Sequence, residues 1–231
     1  MGFSLPDNLL DLPEFFDKIK IFRDRQHAGE ILADMLREYG ASAAIVIAIP
    51  AGGVPVGKVL AEKLYLPFDL AVVSKITLPW NTEAGYGAVA FDGSVQLNQD
   101  LVARIGLTEK QIKEGIDKTS KKVAYRMRSL RGEGVLPNLT AQQVILVDDG
   151  LASGFTMRAA VAALKKIGAT SIVVAVPTGP RSSVEKITSE VDILYCANVR
   201  SGWSFAVADA YESWSDVDKE ELASLLKGAL S

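Results

Sequence analysis

The sequence predicts an α/β protein built on a doubly wound, mostly parallel sheet. Three observations carry that expectation. Short, continuous apolar runs of strand length recur at 44–49, 70–75, 143–147 and 171–176. Segments with helical apolar spacing stand between them, and most of the runs end in a turn rich in Gly, Pro or Ser. Strands that are apolar on both faces belong to parallel sheets covered by helices on both sides. No internal repeat, low-complexity tract or linker divides residues 1–231, so one domain is expected over the whole chain.

The elements follow in order. Residues 24–39 place apolar side chains at helical spacing, with Asp24 to cap the start and Gly40 to end it. Residues 44–49 read as a buried strand, Pro50 to Pro55 as a turn, and 56–64 as a short helix. A second buried strand covers 70–75. The stretch Thr77 to Gly87 reads as a long loop, followed by a hairpin of 88–91 with 94–97 around Asp92-Gly93. Thr108-Glu-Lys-Gln111 is a capping box opening a charged helix to about Leu130. Ile112, Ile116, Val123 and Met127 form its inner stripe, and its Lys and Arg residues read as a solvated face. A third strand at 143–147, a helix at 155–167 and a fourth strand at 171–176 come next. A turn at Pro177 to Pro180, a helix, a strand ending at Cys196 and a terminal helix at roughly 216–226 complete the chain.

Composition narrows the function. With 25 Lys and Arg against 28 Asp and Glu, the chain lacks the basic field that nucleic-acid binders need. The single cysteine, Cys196, forms no intrachain disulfide and reads as a core thiol. The single histidine, His27, excludes a multi-histidine metal site or a histidine-based triad and reads as structural. Residues 1–6 lack a signal-peptide pattern, and the longest apolar run, 43–49, is too short to span a bilayer. The expectation is a soluble cytoplasmic protein with no membrane partner.

In a doubly wound sheet, ligands bind at the carboxyl ends of the strands, near the topological switch point. Four candidate loops follow strands: 50–55, 75–87, 148–156 and 177–181. The most informative stretch is Val144-Ile-Leu-Val-Asp-Asp-Gly-Leu-Ala-Ser-Gly-Phe-Thr156. From Leu151 to Thr156 it offers backbone N–H groups, two hydroxyls and a helix start, which suit a phosphate monoester. Asp148 and Asp149 can only accept hydrogen bonds when ionised, so they suit the hydroxyls of a ribose better than a second anion. A ribose 5-phosphate satisfies both halves. A P-loop is excluded because no Gly-Lys-Ser/Thr follows the turn, and Gly52-Gly-Val-Pro-Val-Gly57 lacks the dinucleotide-binding spacing. An Asp-Asp-Gly turn with a capping serine is also ordinary turn chemistry, so the pair alone does not decide the matter.

Val144 to Thr156 resembles the phosphoribosyl-pyrophosphate signature of the type I phosphoribosyltransferases. The resemblance covers most of the chain: Phe22-Arg-Asp-Arg-Gln-His-Ala-Gly29, Pro50-Ala-Gly-Gly-Val-Pro55 and Lys75 to Val89 are similar to a standalone group of unassigned base specificity. It implies that fold with a flexible hairpin loop and a small hood. It implies transfer of ribose 5-phosphate from phosphoribosyl pyrophosphate to a nucleobase-type nitrogen, with Mg²⁺ as cofactor, release of pyrophosphate, and a homodimer. No residue is assigned directly to the metal.

By the same resemblance Asp148 and Asp149 hold the ribose hydroxyls. Gly150 and Leu151 continue the binding stretch, and Ala152, Ser153, Gly154, Phe155 and Thr156 take the 5′-phosphate. Ala51, Gly52 and Gly53 form the pyrophosphate loop, where close backbone approach needs glycine, and Lys75 faces the pyrophosphate. Thr77, Trp80, Glu83, Gly85 and Gly87 lie in a catalytic lid, while Pro177, Thr178 and Arg181 lie near the base. Two positions depart from the pattern. Ala51 stands where many relatives carry arginine, and Gly150 stands where a branched apolar residue is usual, which loosens the turn. The alternatives are a sensor that binds phosphoribosyl pyrophosphate or a nucleotide without turnover, and a hydrolase using the same cradle. Trp203, Phe205, Tyr211 and Trp214 read as packing or as a base-stacking surface, and Arg23 and Arg25 as capping or phosphate-touching residues.

Overall fold

A computed structural model describes residues 6–131 and 137–230, apart from the side chains of Thr82 and Glu83. In chain order the strands are β1 (Leu9–Leu10), β2 (Ile45–Ala48), β3 (Phe68–Leu70), β4 (Ser74–Leu78), β5 (Asn81–Val89), β6 (Val95–Leu97), β7 (Gln143–Val147), β8 (Ser171–Pro180) and β9 (Ile193–Arg200). The helices are α1 (Arg25–Met35), α2 (Gly53–Leu64), α3 (Gln99–Ile105), α4 (Glu109–Arg131), α5 (Phe155–Ile167), α6 (Arg181–Thr188) and α7 (Lys219–Leu226).

Six strands form a parallel sheet in the order β1-β9-β8-β7-β2-β3. Every residue of β2 is buried, as expected of a strand covered on both faces. Alternate side chains divide between two cores. Val46, Ala48, Ile145 and Val147 pack against Leu32 of α1, Leu60 of α2 and Leu222 of α7. Ile45, Ile47 and Leu146 pack on the other side with Val161 and Leu164 of α5 and Val184 of α6. Cys196 lies in this second core, where burial pushes its thiol pKa well above the usual range.

The sheet order places the switch point between β2 and β7. The chain leaves β2 toward β3 on one side, and leaves β7 toward β8 on the other. The register Ala48↔Val147 brings the two strands to the same height, and the Ile49 N–H donates to the Val147 carbonyl at 2.8 Å. The loops beginning at Pro50 and Asp148 therefore leave the sheet side by side.

A second sheet, β4-β5-β6, is antiparallel and carries its own core of Ile76, Tyr86, Val89 and Val102, closed by Val123 of α4. The capping box forms: the Thr108 N–H donates to Gln111 Oε1 at 2.9 Å and the Gln111 N–H to Thr108 Oγ1 at 3.2 Å.

Several expectations are corrected. The strand expected at 70–75 is split, because β3 leaves the parallel sheet after three residues and the chain starts a new pairing at Ser74. The long loop expected from Thr77 to Gly87 is a β-hairpin arm. Thr77 pairs with Gly85 and Leu78 with Asn81, Trp80 is exposed at the turn, and Gly87 pairs with Ile76 and Leu97. Glu83 lies in β5 by its backbone, while its side chain is outside the described residues. The turn expected at Pro177 to Pro180 is strand, because β8 continues alongside β9 to the pair Pro180↔Arg200. The face of α4 is not wholly solvated. Arg126 and Arg131 reach inward, to Pro50 and Ser74 and to the buried Asp69 respectively. Among the described residues, no helix is long and apolar enough to cross a membrane.

The arm is pinned at one end. Tyr86 is 1% exposed, its hydroxyl donates to the Gln111 carbonyl at 3.5 Å, and Gly115 of α4 leaves room for its ring. Amide hydrogen exchange should therefore be slow at 86–89 and fast around the Pro79-Trp80 turn. Magnesium phosphoribosyl pyrophosphate should slow exchange at the turn. Protection that never extends beyond residues 148–156 would exclude closure of this arm.

Candidate functional site

The loop after β2 and the loop after β7 meet through glycine. A Cβ on Gly52 would overlap the Asp149 carboxylate. One on Gly53 would stand 2.8 Å from the Val147 carbonyl oxygen and 2.9 Å from Asp148 Cα. Two successive glycines are thus a steric requirement where the turn passes over the acidic pair. The Pro50–Ala51 peptide is cis. Among the described residues, the Ala51 and Gly52 N–H groups donate to no protein acceptor, so the turn presents two N–H donors that an anion can take.

Beyond the acidic pair lies a second anion-competent turn. The first residue of α5 is Phe155, and its N-cap, Gly154, has no side chain to accept a bond from the first turn. That turn carries no acidic residue, so its N–H groups and the positive end of the helix dipole are uncompensated by charge. A cavity of about 220 Å³ opens there, lined by Asp148, Asp149, Ser153, Gly154, Thr156 and Val207 among others. Ala152 is tied from behind, its carbonyl accepting the Ser183 hydroxyl at 2.7 Å. Leu151 plays a different part from its neighbours. Its side chain is buried and its N–H donates to the Thr178 carbonyl at 2.8 Å, so it anchors the turn and has no free donor.

The acidic pair is deeply set and asymmetric. The Asp149 N–H donates to Asp148 Oδ1 at 2.9 Å. Burial, and then the neighbouring Asp149 charge, push the Asp148 carboxyl well above the usual carboxylate range. Burial raises Asp149 too, but Arg25 opposes the shift, with its Nε 2.8 Å from Asp149 Oδ2. Arg25 is itself held in place. A second guanidinium nitrogen donates to the Ser215 carbonyl at 2.7 Å, and the guanidinium lies 3.9 Å from the Trp214 ring centroid. Tyr211 donates its hydroxyl to the Asp149 carbonyl oxygen at 2.7 Å, and Trp214 packs on its ring. The N-terminal end of α1 and the segment 211–215 therefore form one clasp around Asp149.

The remaining predicted residues divide. Lys75 lies in β4, with its side chain running across Gly85 of the arm. The cation that the structure places on the Pro50 turn is Arg126, whose Nη2 donates to the Pro50 carbonyl at 3.3 Å. Pro177 and Thr178 are buried within β8, Thr178 bonding to Asn198 Oδ1 at 2.6 Å, and Arg181 opens α6 and pairs with Glu185 at 2.8 Å. Pro177 and Thr178 therefore support the sheet end, while Arg181 is half-buried at the start of α6. His27 caps locally, its Nδ1 accepting the Arg23 N–H at 3.1 Å, and Asp24 Oδ1 accepts the His27 N–H as expected of an N-cap.

Gly150 has a specific reason to be small. A Cβ there would lie 2.6 Å from Val207 Cγ1 and 3.2 Å from Thr178 Cγ2, so Val207 fills the space that a branched residue at 150 would take. The turn is packed by Val207, not loosened. Sequence reasoning left Arg25 undecided and missed Arg126. The signal for Arg126 was its spacing: it stands three residues after Val123 and seven after Thr119, the two buried residues of α4.

Fold and site together define a doubly covered parallel α/β protein with its ligand-competent loops at the switch point. The phosphoribosyl transferase domain family matches residues 91–210, just over half of the sequence, and the chain belongs to that family. It is 33% identical over 216 residues to a Mycobacterium tuberculosis (strain ATCC 25618 / H37Rv) protein named "Putative phosphoribosyl transferase Rv0571c". That match covers 91% of this chain and 47% of the relative, so the chain spans about half the length of the curated relatives it matches. Among solved structures, TT1426 from Thermus thermophilus is similar with a TM-score of 0.73 at 29% identity, covering 91% of this chain and 99% of that one. A hypothetical protein from Neisseria gonorrhoeae with bound ppGpp shares the fold with a TM-score of 0.50 at 18% identity, covering 91% and 97% respectively.

The geometry of the acidic pair and of Gly150 can each be tested by substitution. A carboxyl with a raised folded pKa binds its proton more tightly in the folded state. The acidic pair thus favours folding below the unfolded carboxylate pKa, roughly 4, and costs stability as pH rises through the raised values. Asp148→Asn should raise the neutral-pH unfolding temperature, by about 2–4 °C for each kcal/mol of relief. Asp149→Asn should lower stability by roughly 1.5–3 kcal/mol, because it strips the partner from Arg25. Thermal and urea unfolding of both variants at pH 5 and 8 checks the opposite signs. Separately, Gly150→Val should destabilise by about 1–3 kcal/mol through overpacking, and Val207→Ala in the same chain should recover part of the loss.

Proposed function

We propose that the chain acts as a phosphoribosyltransferase, moving ribose 5-phosphate from phosphoribosyl pyrophosphate to a nucleobase-type nitrogen. The observation that carries this reading is the order of groups at the switch point. A glycine turn with free N–H groups lies on one side of the acidic pair, and an uncapped helix N-terminus lies on the other. A diphosphate, a diol and a phosphate in that sequence match the three sites in charge and hydrogen-bonding sense.

In this reaction the bond from the anomeric carbon to the diphosphate oxygen breaks, and its electron pair leaves with pyrophosphate. The acceptor nitrogen donates its lone pair to the same carbon and then loses its proton. Asp148 and Asp149 orient the sugar and offset the positive charge developing on its ring. Arg25 favours Asp149 as an acceptor by offsetting part of the cost of burying its charge. The first turn of α5 holds the 5′-phosphate, and the exposed Trp80 turn is placed to exclude water when the arm closes. Among the described residues no group of three acidic, histidine or cysteine side chains could cage a metal. A magnesium ion carried in on the substrate's phosphates would, when bound, help to neutralise the leaving group. Support for the acceptor side comes from segment 201–207, which follows β9, sets Val207 against Gly150 and exposes Trp203 fully.

Pyrophosphate release, measured with phosphoribosyl pyrophosphate, Mg²⁺ and a panel of nucleobases, tests the reading. The expected result is release that depends on one class of base and falls at least about tenfold in Asp148→Asn, a loss of roughly 1.4 kcal/mol. Release that ignores the base would indicate a hydrolase. Tight binding with no release would indicate a sensor.

A further inference from the structure

Arg126 is a half-buried guanidinium with no counter-ion among the described residues. Its Nη2 lies 3.3 Å from the Pro50 carbonyl oxygen and its Nη1 3.5 Å from Ser74 Oγ, both neutral acceptors at long range. Among the described residues, no carboxylate lies within ion-pair distance of it. Burial alone lowers its pKa, with no opposing attraction from an acid. Arg131, one and a half turns further along α4, shows the usual solution, because it is buried against Asp69. Withdrawing a charge from water without a partner is costly, and such a group is expected where a ligand supplies the missing charge.

The surroundings say which charge that is. Arg126 faces a cavity of about 640 Å³ between α4 and α7, which Ala51, Ser129 and Lys219 also line. Ala51 contributes only a methyl group, so no side chain of the turn competes for the guanidinium. The turn has two faces. Gly52 and Gly53 lie on the Asp148–Asp149 side, while Ala51 lies on the Arg126 side. An anion drawn to the free Ala51 and Gly52 N–H groups is repelled by the carboxylates on the first side and attracted by Arg126 on the second.

Resting on the phosphoribosyl-pyrophosphate reading above, we propose that Arg126 binds the diphosphate that this turn takes. Its guanidinium, supplied by α4, holds the leaving-group phosphates on the Ala51 face while the acidic pair holds the sugar on the opposite face. A guanidinium can engage phosphate oxygens through two parallel N–H bonds, which fixes orientation as well as charge.

The test is calorimetric binding of magnesium pyrophosphate and, separately, ribose 5-phosphate to the intact protein and to Arg126→Gln. Glutamine keeps an amide donor for Pro50 or Ser74 but removes the charge, which separates anion binding from a purely structural bridge. Pyrophosphate affinity should fall at least about tenfold, the size expected for losing a charge-assisted contact. Ribose 5-phosphate, held at the far turn, should bind as before. Arg126→Met serves as the second variant and should show the same split. Unchanged pyrophosphate affinity in a folded variant, or an equal loss for both ligands, would overturn the role of Arg126. If the unmodified protein binds neither ligand, the phosphoribosyl-pyrophosphate reading itself fails, whatever Arg126 does.

Discussion

The close approach of Gly52 and Gly53 to Asp148 and Asp149 is the constraint on which the site depends. It exists because β2 and β7 are neighbours in the parallel sheet, in register at Ala48 and Val147, and because the chain departs from them in opposite directions. Two loops that begin at the same height on adjacent strands must either collide or interlock. Glycine at both positions lets them interlock, with carboxylates and free N–H groups brought within a few ångströms of each other. Any side chain at 52 would displace the Asp149 carboxylate and with it the Arg25 clasp.

That clasp shows how the protein keeps an unfavourable arrangement. Burial raises the proton affinity of both aspartates, and the neighbouring Asp149 charge raises that of Asp148 further. The structure relieves one of the two and leaves the other. Asp149 receives Arg25, whose position is set by Trp214 and the Ser215 carbonyl, while among the described residues Asp148 receives the Asp149 N–H alone. The inequality leaves Asp149 with a cation that offsets part of the cost of its charge and Asp148 with none as close. Perturbed carboxylates of this kind cluster at functional sites.

Charge is distributed around the site by elements far apart in sequence. Arg25 comes from the start of α1, Arg126 from the end of α4, and Trp214 from the segment before α7. The same is true of packing. Val207 fills the space above Gly150, so a residue after β9 replaces bulk that the turn itself lacks. Family membership accounts for the shared frame. Around the small residues at 51 and 150, Val207 packs against Gly150 and Arg126 reaches the Pro50 carbonyl.

By itself the sequence determined the alternation of buried strands and helices, the capping boxes and N-caps, and the acidic pair followed by an anion-competent turn. Those features are local: each rests on periodicity, a turn residue or a cap within a dozen neighbouring positions. The extent of β8 and the splitting of 70–75 were not legible, because a strand continues only as far as its neighbour offers a partner, and that neighbour is chosen by the whole sheet. The hairpin arm was hidden for the same reason, since polar and glycine-rich segments pair when α4 covers one face. The inward turn of Arg126, the pairing of Arg25 with Asp149 and the withdrawal of Pro177 and Thr178 into the core were decided only in three dimensions. A long side chain on a helix carries no local mark of the loop it will meet, because that meeting depends on how helix and sheet pack.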